Sequence, residues 1–457
     1  MKRAFILLPI LMAMATAARA GTTEPLALAR VEVTGDLRDI QLPIYAHLLD
    51  ASGREYALVK AAPSRLKQLK APHTIIDPDA RGASFAIASW HKSKARPSVA
   101  GIAQSRHDDG RHMILRADPA GAAALAAAGL ELQWLAEPLV LASPPSPMLA
   151  GFTTDARVKA MIDKVSQSTL TTLVGNLSGE NSVTVSGSPF TIASRSTYSG
   201  TYVTKATQYA YEYMQGKGLT ASFHKWSNYR NVVAEKTGIT RPAEIVLVTA
   251  HLDDMPSSTF APGADDNASG VAAVMHAAAI CAGRDFERTI RFALFTGEEQ
   301  GLLGSYAYAE TLYSGGENIV AVFNMDMIAY DATGGPTIEV HTRLKNNPGY
   351  AADAAIAGLL TSVVQGYGLS TALSPVIIAD GVQYSDHYSF WRYGYAGALM
   401  IEDENDFTPY YHMNTDRLST LNPAFLKNAA KAAVGVIGHL AVPAEKNAVR
   451  AGTEWYR

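Results

Sequence analysis

Glu244-Ile-Val-Leu-Val-Thr-Ala250 runs without a break into His251-Leu252-Asp253. The seven residues are apolar and β-branched enough to form a buried strand, and the polar triplet stands where that strand would leave its sheet. Further short apolar runs of strand length follow at residues 289–295, 319–325 and 398–402, separated by helical stretches such as 270–282 and 423–439. This alternation predicts an α/β fold, a mostly parallel twisted sheet with helices on both faces. Sheets of that kind bind ligands beyond the carboxyl ends of their strands. Here those ends carry the acids and histidines.

His251 and Asp253 lie two apart, so in extended chain both side chains project to one side. A carboxylate in that position can take the proton of one imidazole nitrogen and leave the other for a metal. Next comes a polar loop, Gly263-Ala-Asp265-Asp266-Asn-Ala-Ser-Gly270, opening a helix. The following strand ends in Thr296-Gly297-Glu298-Glu299, and the one after it in Asn324-Met325-Asp326. Three successive strands thus bring carboxylates to one sheet edge, where their mutual repulsion and desolvation would cost several kcal/mol without a cation. A histidine joined to carboxylates suits zinc better than calcium or magnesium. Such a site calls for a second histidine, and His412, in Tyr410-Tyr-His412-Met-Asn-Thr-Asp416, is the best placed.

Taken together, His251-Leu-Asp253, Pro262-Gly-Ala-Asp-Asp266-Asn-Ala-Ser-Gly270, Glu298-Glu299-Gln-Gly-Leu-Leu-Gly-Ser305, Asn324-Met-Asp326-Met and Tyr384-Ser-Asp386-His387 resemble the secreted bacterial di-zinc leucyl aminopeptidases, in the same order, over residues 155–442. The resemblance implies two Zn²⁺ ions per chain bridged by Asp266. His251 and Asp326 would complete one ion's protein ligands, Glu299 and His412 the other's. It further implies Glu298 as general base, Asp253 as the group orienting His251, and peptide amino termini, large apolar first residues above all, as substrate. A carboxypeptidase or dipeptidase on the same scaffold, a one-zinc glutaminyl cyclase and a non-catalytic ectodomain are the other readings. One departure stands out. Some family members carry a disulfide and a catalytic tyrosine just before the Ser-Asp-His segment, whereas this chain has Asp380-Gly-Val-Gln-Tyr384 and no cysteine there. The oxyanion donor is then either Tyr384 or another group.

The remaining signals bound the setting. At ~150 residues per domain, 457 residues allow about three domains. Residues 1–20, with Lys2 and Arg3, an apolar run and Ala18-Arg-Ala20, read as a signal peptide, which places the protein in the periplasm or outside the cell. Residues 21–146 read as a small α+β pro-domain. In it a strand, a short helix beginning near a proline and a second strand occur twice, with Pro63 and Pro119 in corresponding places. None of its acids or histidines forms a spacing that suggests chemistry. Residues 147–445 are the catalytic domain and 446–457 a tail. The net charge of −3 offers no general attraction to nucleic acid or acidic membranes, and no run is long and uncharged enough to span a bilayer. Nothing in the sequence sets an oligomeric state. The single cysteine, Cys281, has apolar neighbours and reads as inert packing, as His276 and His387 read as structural. Asp254 and Asp265 read as surface groups or neighbours of the ligands. No Gly-x-Ser-x-Gly elbow is present, which disfavours a serine hydrolase.

Overall fold

The computed structural model describes residues 25–90, 95–147, 151–256, 258 and 260–444. The signal-peptide segment and the tail lie outside these residues. No helix among them is long and apolar enough to cross a membrane.

The C-terminal unit is built on an eight-stranded sheet. Its order is Thr220–Trp226, Tyr229–Lys236, Arg288–Phe295, Arg241–His251, Ile319–Met325, Gly397–Glu402, Thr337–Thr342 and Ser374–Ala379. The four strands from Arg288–Phe295 to Gly397–Glu402 run parallel, and antiparallel pairs occur only toward the two edges. Alternation along the founding strand shows why both faces need helices. Val246, Val248 and Ala250 enter one apolar core with the helices Ala268–Ala282, Tyr350–Gly366 and Pro423–Ala441, while Ile245 and Leu247 enter another with Leu303–Ser314 and Phe390. Each buried Val or Leu contributes roughly 1.5–3 kcal/mol, so the strand is fixed in register from both sides. Its carboxyl end therefore delivers His251 to one defined place. Cys281 is fully buried on the first of these helices, and burial pushes its thiol up to about 12.

The N-terminal unit consists of two four-stranded antiparallel sheets. One runs in the order Ile44–Leu49, Glu55–Ala61, Ala27–Glu32, His73–Asp77, the other Gln104–Asp108, Met113–Arg116, Phe85–Ser89, Glu131–Trp134. The two orders are the same pattern repeated. In each, the strands on either side of the short helix flank an earlier strand, Ala27–Glu32 or Phe85–Ser89, that the sequence repeat does not include. Leu28, Leu48 and Leu58 of the first sheet and Phe85, Ile87 and Ile114 of the second share one apolar core, so the sheets pack face to face. The second sheet leans on the C-terminal unit. Arg392 donates to the carbonyls of Trp134 and Glu137 at 2.9 Å each, and its own carbonyl accepts from Val140 N at 2.8 Å.

Candidate metal centre

At the carboxyl edge of the sheet, His251, Asp326, Asp266, Glu299 and His412 come together. His251 Nε2 lies 3.1 Å from Asp326 Oδ1 and 3.2 Å from Asp266 Oδ1. His412 Nε2 lies 2.9 Å from Glu299 Oε2 and 3.3 Å from Asp266 Oδ2. Asp266 thus turns one oxygen toward each histidine, and the two donor sets share only that carboxylate. The second oxygen of Asp326 accepts from Ser385 Oγ at 2.6 Å, which is what the Tyr384-Ser-Asp-His segment does for the site. Glu299 Oε1 is buried without a partner. Burial opposes charge on both imidazoles, yet the surrounding carboxylates, Asp326 for His251 and Glu299 for His412, push both well above the ordinary histidine range. A cluster of nitrogen and carboxylate donors with too little positive charge, one orphaned oxygen and a carboxylate facing two ways fits bound zinc.

Local structure explains the convergence. Gly297 has φ +80°, and a Cβ there would come within 2.6 Å of the Trp226 ring, so only glycine lets the chain turn tightly enough to bring up both glutamates. Asn267 caps the helix Ala268–Ala282 by accepting from Gly270 N at 2.9 Å, while its amide donates to Met325 O at 3.0 Å. That pair of bonds ties the Asp266 loop to the strand that ends at Asp326. His412 and Met327, beside or within the ligand set, are non-glycine residues with φ of 60° and 45°. Strained backbone of this kind costs of order 1–3 kcal/mol and collects at functional sites.

Asp253 has more partners than the sequence indicates. His251 Nδ1 is 3.1 Å from the Asp253 carbonyl and 3.7 Å from its carboxylate. The carboxylate itself accepts from Thr197 Oγ1 at 2.8 Å, Gly297 N at 2.9 Å, and Glu298 N and Glu299 N at 3.3 Å each. It organises the Glu298-Glu299 turn as well as standing beside the imidazole. Asp254 and Asp265 are fully buried rather than at the surface. Asp254 pairs with Arg195 at 3.3 Å, and Asp265 accepts from Ala329 N at 3.0 Å. His387 is buried with Nε2 3.0 Å from the Val382 carbonyl, and desolvation lowers it to about 3. His276 Nε2 accepts from Ser166 N at 3.0 Å. Neither joins the metal centre.

Asp416 escapes the sequence reading. It follows His412 by four residues, and its carboxylate accepts from Asp265 N at 3.0 and 3.1 Å and from Asp266 N at 3.0 Å. One buried carboxylate therefore holds the two loops that carry His412 and Asp266 to each other. Outer groups of this kind are worth about 10- to 100-fold in metal affinity, so Asp416→Asn is expected to weaken zinc binding by that factor in a competition titration against a chelator. Unchanged affinity would remove Asp416 from the support of the site.

The cavity beside the centre measures about 450 Å³. Met327, Val382 and Ile401, with Tyr384, Phe407 and Tyr411, form one apolar cluster on its catalytic side. Tyr411 stacks on His412 with ring centroids 3.7 Å apart.

The part of the chain that carries this geometry is similar to known proteins. Residues 231–437 match the sequence profile of peptidase family M28. Leucine aminopeptidase 1 of Ajellomyces capsulatus (strain NAm1 / WU24) is 30% identical over 230 residues, 48% of this chain and 57% of that protein. Leucine aminopeptidase 1 of Arthroderma otae is 31% identical over 233 residues, 48% of this chain and 60% of that protein. The chain therefore spans less than two thirds of the length of these relatives. Among solved structures, the Legionella pneumophila LapA aminopeptidase superposes with a TM-score of 0.59 at 17% identity, covering 79% of this chain and 99% of that one. LapB from Legionella pneumophila gives 0.59 at 18%, covering 79% and 100%. At that identity the likeness speaks for the fold. The stretch that carries the site is thus similar to peptidase family M28 and to leucine aminopeptidases.

Proposed function

We propose that the protein is an aminopeptidase that uses two zinc ions to hydrolyse the first peptide bond of peptides with a free amino terminus. The observation that carries this reading is Asp266, whose two oxygens face two separate donor sets, His251 with Asp326 and His412 with Glu299. Zinc held by those sets would supply the Lewis acidity that polarises a peptide carbonyl and acidifies a water. Glu298 is buried at the same edge and lines the cavity together with the ligands. It takes the proton of the attacking water and passes it to the departing amine, with no covalent intermediate. Tyr411, stacked on His412, and Tyr384 both line the cavity and are the candidates to donate to the carbonyl oxygen as it becomes negative. The apolar wall from Met327 to Tyr411 supports leucine and other large apolar first residues.

The N-terminal unit lies over this cleft, which supports its reading as a pro-domain, and the Lys2 to Ala20 segment supports export. The deciding experiment measures zinc per chain together with hydrolysis of leucine p-nitroanilide and of free and acetylated leucyl peptides. Two zinc ions and cleavage of the free peptides alone are expected. One zinc per chain, or equal cleavage of the acetylated peptide, would replace this reading with another of the same scaffold.

A further inference from the structure

The cavity over the ligand residues belongs to both units. On the catalytic side stand His251, Asp266, Glu298 and Glu299, and facing them from the N-terminal unit are Ile87, Trp90, His112 and Glu131. A volume of about 450 Å³ lies within the range of small-ligand sites. The N-terminal unit therefore leaves room for a small ligand over the ligand residues.

Alongside Arg111 and His112, the unit sets one carboxyl group in that space. Glu131, at the start of the edge strand Glu131–Trp134, is the only acid that the described N-terminal residues contribute to the cavity wall. The strand is pressed against the turn after the two glutamates: a Cβ on Gly301 would meet the Leu132 carbonyl at 2.9 Å. Glu131 Oε1 accepts from the Tyr411 hydroxyl at 2.7 Å, and Oε2 lies 3.4 Å from Ser89 Oγ. A second, smaller cavity is lined jointly by Glu131, Glu298, Glu299, Tyr411 and His412. The carboxyl group thus lines the same cavity as Glu298 and Glu299 and holds the hydroxyl of Tyr411, whose ring stacks against His412.

We propose that Glu131 is an autoinhibitory latch, a side chain of the N-terminal unit that engages Tyr411 and sets a carboxyl group beside Glu298 and Glu299, where the scissile group of a small substrate has to lie. This rests on the aminopeptidase reading above. It makes the silencing of small substrates local, the work of one residue, and leaves the exclusion of long peptides to the body of the unit.

The test uses the zinc-loaded full chain, before and after limited proteolysis near residues 143–147. In the intact chain, Glu131→Ala is expected to raise kcat/KM for leucine p-nitroanilide by about 10- to 100-fold, the weight of one strong hydrogen bond removed. Glu131→Gln, whose amide oxygen still accepts from Tyr411, gives a smaller gain. A long leucyl peptide remains uncut by either intact variant, and after trimming the wild type and both variants converge. An intact Glu131→Ala chain no more active than wild type, while trimmed wild type is active, discards the latch alone. A fall in activity of the intact variant also overturns it and makes Glu131 an anchor for the substrate ammonium. If trimmed wild type cleaves no free-amine peptide, the aminopeptidase reading fails and takes the latch with it.

Discussion

Glu298→Gln is expected to leave the protein with its full zinc complement while lowering kcat by about 10²- to 10⁴-fold, the range in which a positioned general base contributes. At about 1.4 kcal/mol per tenfold, that is roughly 3 to 5.5 kcal/mol of barrier. The substitution is nearly isosteric, and the ligand contacts of the site run through Glu299, Asp266, Asp326 and the two histidines instead. The Glu298 backbone stays anchored as well, since its amide donates to Asp253 and not to its own side chain. An amide at this position accepts no proton from water, so loss of turnover without loss of metal is the signature of the base. Glu299→Gln should behave in the opposite way, because Glu299 Oε2 is 2.9 Å from His412 Nε2 and its loss removes a donor. Metal analysis and single-turnover kinetics on the two variants separate the roles. A Glu298→Gln protein that turns over normally, or one that loses zinc in step with activity, would take Glu298 out of the proton-transfer step.

That both adjacent glutamates reach the carboxyl edge of the sheet was readable from the sequence, although they lie in a turn after the strand Arg288–Phe295 and not on its extended end. The same holds for His251 and Asp326, which sit at the ends of apolar runs whose burial fixes where those ends must be, and for Asp266, which opens the buried helix Ala268–Ala282. His412 was reachable only through the need for a second nitrogen donor, since it lies in a loop with no strand to place it. The supports of the site were harder to see. Asp416 acts on Asp265 and Asp266 across 150 residues of sequence. Arg195 acts across 57 or more on Leu252 and the Pro262-Gly263 turn. Neither belongs to a spacing pattern, because a hydrogen bond between loops is set by tertiary packing and leaves no periodicity in the chain. Glu131 shows the same limit within the N-terminal unit. Its strand was visible as the last element of the second repeat, but that the repeat would turn this residue toward the ligands depends on how two sheets dock against a third. The strands that complete each repeat were missed for a related reason: Ala27–Glu32 and Phe85–Ser89 precede the strand–helix–strand copies and pair with both of their strands, a non-local arrangement.

Arg195→Met should be the most destabilising single substitution in the catalytic unit that touches no ligand, at about 3 to 5 kcal/mol, the cost of breaking a buried ion pair by removing one partner. The side chain is fully buried, and its guanidinium satisfies four carbonyls: Leu252 through Nε at 2.8 Å, Leu177 and Pro262 through Nη1 at 2.7 and 2.8 Å, and Gly263 through Nη2 at 2.8 Å. It also faces the Asp254 carboxylate at 3.3 Å. Those partners lie just after His251 and just before Asp266, so the guanidinium staples the two ligand segments to the end of the helix Gln167–Leu177. Methionine fills the stem but leaves each carbonyl unpaired and Asp254 without a countercharge. Burial already pushes Asp254 well above the ordinary carboxylate range, with Arg195 pulling the other way, so in the variant Asp254 must take up a proton or draw in water. Adding Asp254→Asn should therefore recover part of the loss: the neutral amide needs no countercharge, and its oxygen can still accept from the backbone N–H of residue 195, which Asp254 now holds at 2.9 Å. Thermal melts of the two variants, with zinc affinity measured alongside, report both consequences, a lower midpoint and looser metal binding from ligand segments no longer held in place. A single variant that melts with the wild type, or a double variant no better than the single, would show that the carbonyls and Asp254 are satisfied without the guanidinium.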